Sequence, residues 1–244
     1  MVKKGDDIAD VILDVCKRNR FELQDGDIIV IAQKIFSKAE GRIVRIRDVV
    51  PSTRSKELGR ITKKDPRFVE LILRETRKIL KVTSDIFLVE DKRGLVCINA
   101  GIDKSNIEGS ENFALLPENP DLSARTCRSK MERATGVKLG VVICDTYSRP
   151  FRRGQVNFAI GVAGLGVFRD YRGKKDLFGN VLKVKNVGVV DEIAAAAELL
   201  MGQGRESTPV IILRGLNASV QPDVDSGMGD LLISDKEDLF KGIL

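Results

Sequence analysis

The residues with the clearest capacity for chemistry lie in the stretch Val141–Gln155, where an apolar run leads into a carboxylate, hydroxyls and arginines. Asp145 and Thr146 come directly after the apolar run. A carboxylate at a strand end can hold a hard cation such as Mg²⁺ or Mn²⁺, and arginines make forked contacts with phosphate or carboxylate oxygens. The arginines are Arg149, Arg152 and Arg153. The stretch therefore predicts either a metal and phosphate site or a strand that ends in a turn with solvated arginines.

A second carboxylate follows another predicted strand. The residues Leu95–Asn99 lead through small residues to Asp103, in the way that Leu139–Cys144 leads to Asp145. Alone, Asp103 is more often a turn former or a helix cap. A helix predicted between the two strands allows a right-handed crossover, which would bring both carboxylates to one edge of a sheet. There they could clamp one divalent cation without any histidine.

Polar clusters follow two further predicted elements. Ile28–Ala32 has the apolar content of a short buried strand, and Gln33–Arg42 after it is rich in charged residues and includes Ser37. This cluster predicts an anion-binding loop or, as the more frequent explanation, a solvated charged hairpin. Gln203 and Glu206 lie beside glycines at the end of a predicted helix. They could supply further oxygen ligands, although a glycine C-cap explains the glycines.

The composition restricts the classes of function. The 244 residues include no histidine, which excludes histidine triads, general bases and metal ligands. The net charge of +6 suits anionic partners, and 10 Phe, 2 Tyr and no Trp leave little surface for base stacking, so small anions are favoured over nucleic acid. The 4 cysteines form no CxxC pair, which indicates buried thiols. Without a signal peptide or a membrane-length apolar run, we expect a cytoplasmic protein that does not act at a membrane.

The periodicity of the chain predicts an α+β fold with mixed sheets and flanking helices. Apolar spacing predicts a helix from Ile8, and Asp65 and Pro66 begin another whose apolar face extends to Ile79. Further helices are predicted at 120–135 and 191–201, a hairpin at 85–99 and a strand at 210–213. The glycines of Asn157–Val167 indicate close backbone packing in a sheet or subunit interface more than a phosphate loop.

Several motifs together resemble one family. They are SKAEGR at 37–42, NAGIDKSN at 99–106, ENPDLSARTCRSKMERATG at 118–136, CDTYSRPFRRGQVNFAIGVAG at 144–164 and DEIAAAAELLMGQGRESTPV at 191–210. Over nearly its whole length the chain closely resembles the coenzyme F-420-0:L-glutamate ligase family, and its longest block is highly specific. Family members usually begin with a strand and a Gly-x-Pro loop that touches the nucleotide. This chain starts directly with Met1–Asp7, so the resemblance does not extend to that part of the GTP pocket.

The resemblance implies a GTP-dependent ligase that adds L-glutamate to coenzyme F-420-0, giving mono- and diglutamyl (γ-linked) products. Mg²⁺ or Mn²⁺ would be required, with K⁺ assisting. Because amide formation from a carboxylate needs activation, we expect γ-phosphoryl transfer to give an acyl phosphate that the glutamate amine attacks. The family organisation implies an intertwined homodimer of two-domain subunits. The first domain would comprise 1–95 and 190–244 with the GTP loop, and 96–189 would carry the metal and anion site.

The resemblance also implies roles for individual residues. Asp103 and Asp145 match ligands of one metal, and Thr146 matches a ligand of a second metal. Gln203 and Glu206 lie in the segment that completes this second site. The residues that match GTP contacts are Ser37, Lys38, Arg42 and Asn106. The residues expected to bind the coenzyme's phosphodiester and carboxylates, or the incoming glutamate, are Arg149, Arg152 and Arg153. The residues expected to act in catalysis are Asp145, Arg149 and Arg152.

Two other classes of function stay open at this point. A metal-dependent nucleotide phosphohydrolase could use the same carboxylates and arginines, but it would turn over nucleotide without an amino-acid acceptor. A basic RNA-binding protein would explain the charge without any enzyme. It would show binding that weakens steeply with salt and needs no metal.

Overall fold

The computed structural model describes residues 1–216, 226–234 and 236–238, and within that part of the chain helices combine with mixed sheets, as the predicted α+β class requires. The helices are α1 (Ile8–Arg18), α2 (Gln33–Ala39), α3 (Thr53–Thr62), α4 (Pro66–Glu75), α5 (Pro120–Thr135) and α6 (Val189–Met201). The strands are β1 (Ile28–Ala32), β2 (Ile43–Arg45), β3 (Thr76–Val82), β4 (Phe87–Asp91), β5 (Val96–Ile98), β6 (Asn112–Ala114), β7 (Gly140–Arg149), β8 (Arg152–Ala163), β9 (Phe168–Asp170), β10 (Asn186–Gly188) and β11 (Val210–Leu213).

The largest sheet has the strand order β11-β1-β7-β8. Strand β1 runs parallel to β7 and antiparallel to β11, and β7 pairs antiparallel with β8. Side chains alternate between the two faces of a strand. Ile29 and Ile143 pack in a core with α1 and α5, whereas Val30 and Val142 pack in a second core with α6. Both faces of β1 are therefore covered, which explains its continuous apolar sequence.

Strand β8 lies at the edge of this sheet, and carboxylates bind several of its backbone amides. The hydrogen bonds run from Asn157 to Glu198 (2.9 Å), from Ala159 to Asp191 (3.0 Å) and from Val162 to Asp121 (2.8 Å). Amides of an edge strand that are occupied by side chains do not offer a template for another strand. Between Asn157 and Val162, this edge of the central sheet is therefore closed by side chains of α5 and α6.

Gly161 on β8 serves close packing, as the sequence predicts for its segment. A Cβ atom at Gly161 would lie 2.6 Å from the carbonyl carbon and oxygen of Pro120, the first residue of α5. Only glycine allows two backbones to approach this closely. Residues 157–163 of the segment form a strand against a helix, which fits close packing and not a phosphate loop.

A smaller layer contacts β7 through β5. It contains the sheet β3-β4-β5 and the pair β2-β6, together with α3 and α4. Its core includes Val69 and Ile72 of α4 and Phe87 and Val89 of β4. The predicted hairpin is confirmed by the antiparallel pairing of β4 with β5. Strands β9 and β10 form a separate two-stranded ribbon.

Three local predictions are wrong. The cluster after β1 is neither a loop nor a hairpin, because Gln33–Ala39 forms α2 and buries Ile35 and Phe36. Helix α4 ends at Glu75, so Ile79 lies on β3. Strand β7 continues beyond the predicted strand end to Arg149, because its polar half pairs with β8 in a long hairpin. Asp145 and Thr146 therefore lie within a strand and point to opposite faces.

The predicted division into domains is not reflected in separate sheets. The central sheet takes β1 and β11 from the ranges 1–95 and 190–244, and β7 and β8 from 96–189. The two-domain division itself stays a prediction, and residues 217–225, 235 and 239–244 lie outside the described part.

Each cysteine is buried and free, as predicted. Across the described residues, no helix has the length and apolar character needed to cross a bilayer.

An ion pair with a buried carboxylate joins the start of β1 to the end of β11. The Asp27 carboxylate is fully buried and accepts hydrogen bonds from Arg214 Nε (2.7 Å), Arg214 Nη2 (2.8 Å) and the Gln24 amide (2.9 Å). Burial by itself raises the pKa of Asp27, but the bonds from Arg214 and Gln24 outweigh it and hold this pKa below its usual value. The pair therefore stabilises the folded state.

Replacing Asp27 with asparagine is expected to lower the free energy of unfolding at pH 7 by about 2 kcal/mol, measured by urea denaturation. A fully buried pair would cost about 3–5 kcal/mol, and the Arg214 side chain is 41% exposed. Because the folded pKa is depressed, the contribution is complete above the unfolded value of 3.8 and disappears as the pH falls through the folded value. Asp14→Asn, on the exposed face of α1, is the control. A difference in the free energy of unfolding between the wild type and Asp27→Asn that stays the same in strong acid would contradict this explanation.

Candidate functional site

The first group of site residues gathers where β1 ends and its parallel pairing with β7 stops. The two strands are parallel, and Ala32 pairs in register with Cys144. Gln33 and Lys34 follow Ala32 at the start of α2, and Asp145 follows Cys144 on β7. Open α/β sheets bind ligands beyond the carboxyl ends of their parallel strands. The topology thus places an amide, an ammonium group and a carboxylate at such an edge.

Asp103 reaches this edge from the segment after β5. Its backbone forms a bridge with Ala114, and Lys34 Nζ lies 2.7 Å from its carboxylate. Ser105 donates hydrogen bonds to Asp103 through its amide (2.9 Å) and its hydroxyl, and Lys34 also donates to the Ser105 hydroxyl (2.7 Å). Burial raises the pKa of Asp103, but the bonds from Lys34 and Ser105 outweigh it and lower the pKa to about 2. Asp103 is therefore ionised at neutral pH.

Asp145 is the more strongly perturbed carboxylate. Burial is the main cause that raises its pKa to about 7, and the negative charge of Asp103 adds to the rise. The Thr146 amide, Lys34 and Gln33 act in the opposite direction. Two carboxylates that influence each other in this way, one of them poorly solvated, favour the binding of a positive charge between them.

The crossover that the sequence suggested is wrong, although the juxtaposition that it was meant to explain is present. Strand β5 belongs to the antiparallel sheet of the smaller layer, and the parallel neighbour of β7 is β1. Asp103 comes to Asp145 because β5 contacts β7 and because its own bridge to Ala114 fixes the following segment. Contact between the two layers, and not a shared sheet, therefore brings the two carboxylates together.

A second polar group lies on the opposite face of β7, towards α6. Its members are joined by hydrogen bonds from Thr146 Oγ1 to Asn157 Oδ1 (2.8 Å), from Gln203 Nε2 to Thr146 Oγ1 (2.9 Å) and from Gln203 Nε2 to Glu198 Oε1 (2.6 Å). Thr146 and Gln203, which the sequence assigned to one metal, are thus in direct contact. Glu206 lies further along the chain, where its carboxylate accepts a bond from the Gly204 amide (2.7 Å).

The oxygen atoms of both groups suit a hard divalent cation. Mg²⁺ and Mn²⁺ prefer carboxylate, hydroxyl and amide oxygens, which these residues supply. A cation between Asp103 and Asp145 would reduce the repulsion between their two carboxylates. In the described ranges, no three acidic or thiol side chains come together as a complete metal-binding group. A cation here would therefore need oxygens from neutral side chains, water or a bound ligand as well.

The residues matched to GTP contacts divide into two kinds. Lys38 Nζ donates to the backbone oxygen of Asn106 (2.9 Å), so these two lie together beside the Asp103 segment. Burial and the nearby Lys34 charge lower the pKa of Lys38. Ser37 is buried and donates to Gln33 Oε1 (2.6 Å). The fourth residue, Arg42, points inward.

Arg42 is held by a buried network. Its Nη2 lies 2.7 Å from Glu75 Oε2 and its Nε donates to the Leu116 carbonyl (3.0 Å). Arg93 shares the Glu75 carboxylate and binds Asp91 (2.8 Å). The network fixes the end of the α2 segment to the smaller layer, so Arg42 has structural partners whatever else it contacts.

The three arginines of the β7–β8 hairpin lie at its far end. Arg149 pairs in register with Arg152, and Arg149 Nη2 donates to the Arg153 carbonyl (3.0 Å). Phe151 at the turn is 87% exposed. Arg149 is about 13 Å from Asp145 along the strand, at about 3.3 Å per residue. The arginines therefore lie at a distance from the carboxylates.

Sequence reasoning missed several residues of the two groups. They are Gln33, Lys34, Ser105, Tyr147, Asn157 and Glu198. Lys34 would have been found if β1 had been recognised as the parallel neighbour of β7, because it then follows the strand next to Asp145. Asn157 and Glu198 carried no signal, since their roles depend on contacts between β8, α6 and the segment after α6.

Tyr147 points to the same face of β7 as Asp145, and its ring packs 6.2 Å from that of Phe158. The hydroxyl is buried and has no hydrogen-bond partner among the described residues. Burial raises the pKa of Tyr147 well above its usual value. The unpartnered oxygen adds nothing to the stability of the folded chain.

Replacing Tyr147 with phenylalanine is expected to leave the free energy of unfolding unchanged or slightly higher, because the substitution removes only that hydroxyl. Thermal unfolding of the purified variant would test this expectation. A loss of more than about 1 kcal/mol would show instead that the hydroxyl makes a stabilising hydrogen bond.

Comparison with known proteins supplies an independent view of the same chain. The family model described as F420-0:Gamma-glutamyl ligase matches residues 1–215. That range contains all the residues of both polar groups and the arginine hairpin.

Full-length relatives give the same result. A protein of Methanothermobacter thermautotrophicus named coenzyme F420:L-glutamate ligase is 43% identical over 99% of this chain and 95% of its own length. Proteins of the same name from Archaeoglobus fulgidus and Methanopyrus kandleri are 42% and 44% identical. The first covers 100% of this chain and 94% of its own length, and the second 90% and 85%.

Proposed function

The chain belongs to the F420-0:gamma-glutamyl ligase family, and from this we propose that it joins L-glutamate to coenzyme F-420-0 at the expense of GTP. The ligase activity follows from the family. The observation that supports a phosphate-activated reaction is the pair Asp103 and Asp145 beside Lys34, where the parallel pairing of β1 with β7 ends. We further propose mono- and diglutamyl (γ-linked) products.

The proposed reaction has two steps. First, a carboxylate oxygen of the coenzyme attacks the γ-phosphorus of GTP, the bond to the β-phosphate oxygen breaks, and GDP leaves. The resulting acyl phosphate is then attacked by the glutamate amine, which loses a proton as the amide forms and inorganic phosphate leaves. Both steps develop negative charge on phosphate oxygens, which preorganised cations stabilise. Lys34, already bound to Asp103 and Ser105, is placed to neutralise part of that charge.

We propose that Asp103 and Asp145 hold one divalent cation, Mg²⁺ or Mn²⁺. Thr146 and Gln203 would hold a second, with Glu206 contributing from the following loop. Cations bound there would neutralise the phosphates of GTP and lower the repulsion met by an incoming carboxylate. The elevated pKa of Asp145 supports this assignment, because a buried carboxylate with a carboxylate neighbour gains most from a bound cation.

For the nucleotide, we propose a pocket built on α2 and the Asp103 segment. Lys38 and Asn106 would contact the phosphates or sugar, since they already lie together beside Asp103. Ser37 and Arg42 would line the pocket while their bonds to Gln33 and Glu75 keep α2 in place.

For the coenzyme, we propose that the arginines of the β7–β8 hairpin bind its phosphodiester and carboxylates, or the incoming glutamate. Their distance from Asp145 suits a long acceptor whose reacting carboxylate lies at the metal site while its anionic portion reaches the hairpin. Planar guanidinium groups bind such oxygens in pairs. The residues concerned are Arg149, Arg152 and Arg153.

Incubation of the protein with coenzyme F-420-0, L-glutamate, GTP and Mn²⁺, followed by mass measurement of the coenzyme, tests the proposal. We expect glutamyl additions that require both GTP and metal. Release of phosphate without any glutamyl product would favour the nucleotide phosphohydrolase, which the family match does not favour. The stimulation by K⁺, the intertwined homodimer and the cytoplasmic location stay predictions, to be tested by ion replacement, light scattering and cell fractionation.

A further inference from the structure

The side-chain amide of Gln203 is oriented by a carboxylate. Its Nε2 donates to Glu198 Oε1 (2.6 Å) and Thr146 Oγ1 (2.9 Å), and Asn157 Oδ1 lies 3.5 Å away. We infer that Glu198 is a positioning residue, which turns the carbonyl oxygen of Gln203 outward so that it can bind a cation together with Thr146. The inference rests on the proposed function and adds residues that neither the family match nor the motifs assign.

The direction of the Gln203 amide follows from donor and acceptor chemistry. An amide has one donating and one accepting end, whereas an ionised carboxylate only accepts. The Glu198 bond is the shortest of the group and is assisted by charge, so it decides which end of the amide points inward. With Nε2 turned towards Glu198, Oε1 is directed away from that carboxylate.

Glu198 is itself fixed in place. It lies in the last turn of α6, and its second oxygen accepts the backbone amide of Asn157 (2.9 Å) on the edge strand β8. Both carboxylate oxygens are therefore committed, one to the sheet and one to Gln203. A glutamine at position 198 would have a single acceptor for these two donors. Either the β8 amide or the Gln203 amide would then lose its partner.

Asn157 completes the orientation of Thr146. The Asn157 side chain is 4% exposed, and its Nδ2 donates to Cys144 Sγ (3.4 Å), so its Oδ1 faces Thr146. Thr146 gives its hydroxyl hydrogen to Asn157 Oδ1 and accepts from Gln203 Nε2. One lone pair of Thr146 Oγ1 is left for a ligand. The network thus presents oxygen lone pairs from two neighbouring side chains, and partners of this kind typically change metal affinity by about 10–100-fold.

Titration of the full chain with Mn²⁺, in the presence of a non-hydrolysable GTP analogue, tests the inference by a readout independent of turnover. We expect Glu198→Gln to weaken one class of Mn²⁺ sites about 10-fold and to leave the other class unchanged. Glu192→Gln is the matched control, because it removes the same charge from an exposed position on the same helix. We expect its Mn²⁺ affinity to equal that of the wild type.

A double variant separates orientation from charge. Glu198→Gln combined with Gln203→Glu keeps the net charge and replaces the amide by a carboxylate, which presents oxygen in either orientation. We expect it to recover most of the lost affinity. Unchanged Mn²⁺ binding in Glu198→Gln, equal weakening in Glu192→Gln, or a wild type without a second class of sites would overturn the inference. These outcomes are distinct from a failure of the proposed function, which would appear as a wild type that binds Mn²⁺ but adds no glutamate.

Discussion

Replacing Asp145 with asparagine is expected to lower the rate of GTP-dependent glutamate addition by at least about 10³-fold while leaving the fold intact. The substitution keeps the shape of the side chain but removes the charge that would bind a cation opposite Asp103. Initial rates measured by mass detection of the glutamyl product, with saturating GTP and Mn²⁺, would give the size of the loss.

The stability of Asp145→Asn should move in the opposite direction. The pKa of Asp145 is raised from 3.8 to about 7 in the folded protein, so the folded state holds a proton more tightly than the unfolded state. This carboxylate therefore destabilises the fold increasingly as the pH rises from 3.8 to about 7. Without metal, in the presence of a chelator at pH 8, we expect the variant to unfold at the same temperature as the wild type or higher.

Loss of activity together with retained or increased stability is typical of a residue kept for function. A variant that keeps a near-normal rate would remove Asp145 from the mechanism. A variant that is inactive because it unfolds more easily than the wild type would show that the carboxylate is structural.

Replacing Lys34 with methionine is expected to lower the turnover rate about 10²-fold, the usual effect of removing one preorganised cation or donor from a reacting phosphate. Methionine keeps much of the side chain's length and loses the ammonium group. Lys34 lies 2.7 Å from both Asp103 and the Ser105 hydroxyl, so its loss also leaves Asp103 facing Asp145 without a compensating charge.

The control for Lys34 is Lys56→Met, which removes a lysine from the exposed surface of α3. Rates for both variants, measured across a range of GTP concentrations, separate binding from chemistry. An unchanged turnover rate with a higher KM for GTP would limit Lys34 to nucleotide binding. Equal rates for both variants and the wild type would exclude it from the site.

Some residues could be assigned to the correct helix or strand from the sequence, because local apolar patterns determine those elements. The helices α1 and α5 and the apolar runs of β1 and β7 lie where the periodicity predicts them. Ile79 was assigned to the wrong element because the apolar spacing of α4 continues into a strand. Local pattern does not reveal where the cooperative contacts of α4 end.

The relation between strands could not be derived in the same way. Asp103 and Asp145 were grouped correctly through a crossover that is absent, because the sequence does not determine whether β5 or β1 pairs with β7. That choice depends on burial: β1 is apolar on both faces and suits the centre of a covered sheet, whereas β5 exposes Val96 and Ile98. Exposure of this kind becomes visible only once the layers are assembled.

The residues that position others carried the weakest sequence signal. Glu198 and Asn157 lie on α6 and β8, and each has an unremarkable neighbourhood in the chain. Their importance arises from hydrogen bonds between elements far apart in sequence, which join the edge of the central sheet to Thr146 and Gln203. Charged residues on a helix are most often solvated. Only the folded structure identifies Glu198 as a hydrogen-bond acceptor.

The measurement that tests the account most directly uses coenzyme F-420-0 labelled with a heavy oxygen isotope in its acceptor carboxylate. The wild-type protein would be incubated with the labelled coenzyme, L-glutamate, GTP and Mn²⁺. The molecular masses of the coenzyme product and of the released phosphate would then be measured. We expect a monoglutamyl product and, for each one formed, a phosphate that carries one labelled oxygen, because the carboxylate oxygen that attacks GTP leaves with the phosphate. A second addition would release unlabelled phosphate, because its acceptor carboxylate belongs to the first glutamate. A monoglutamyl product accompanied only by unlabelled phosphate would contradict the acyl-phosphate route, and phosphate released without a glutamyl product would contradict the ligase itself.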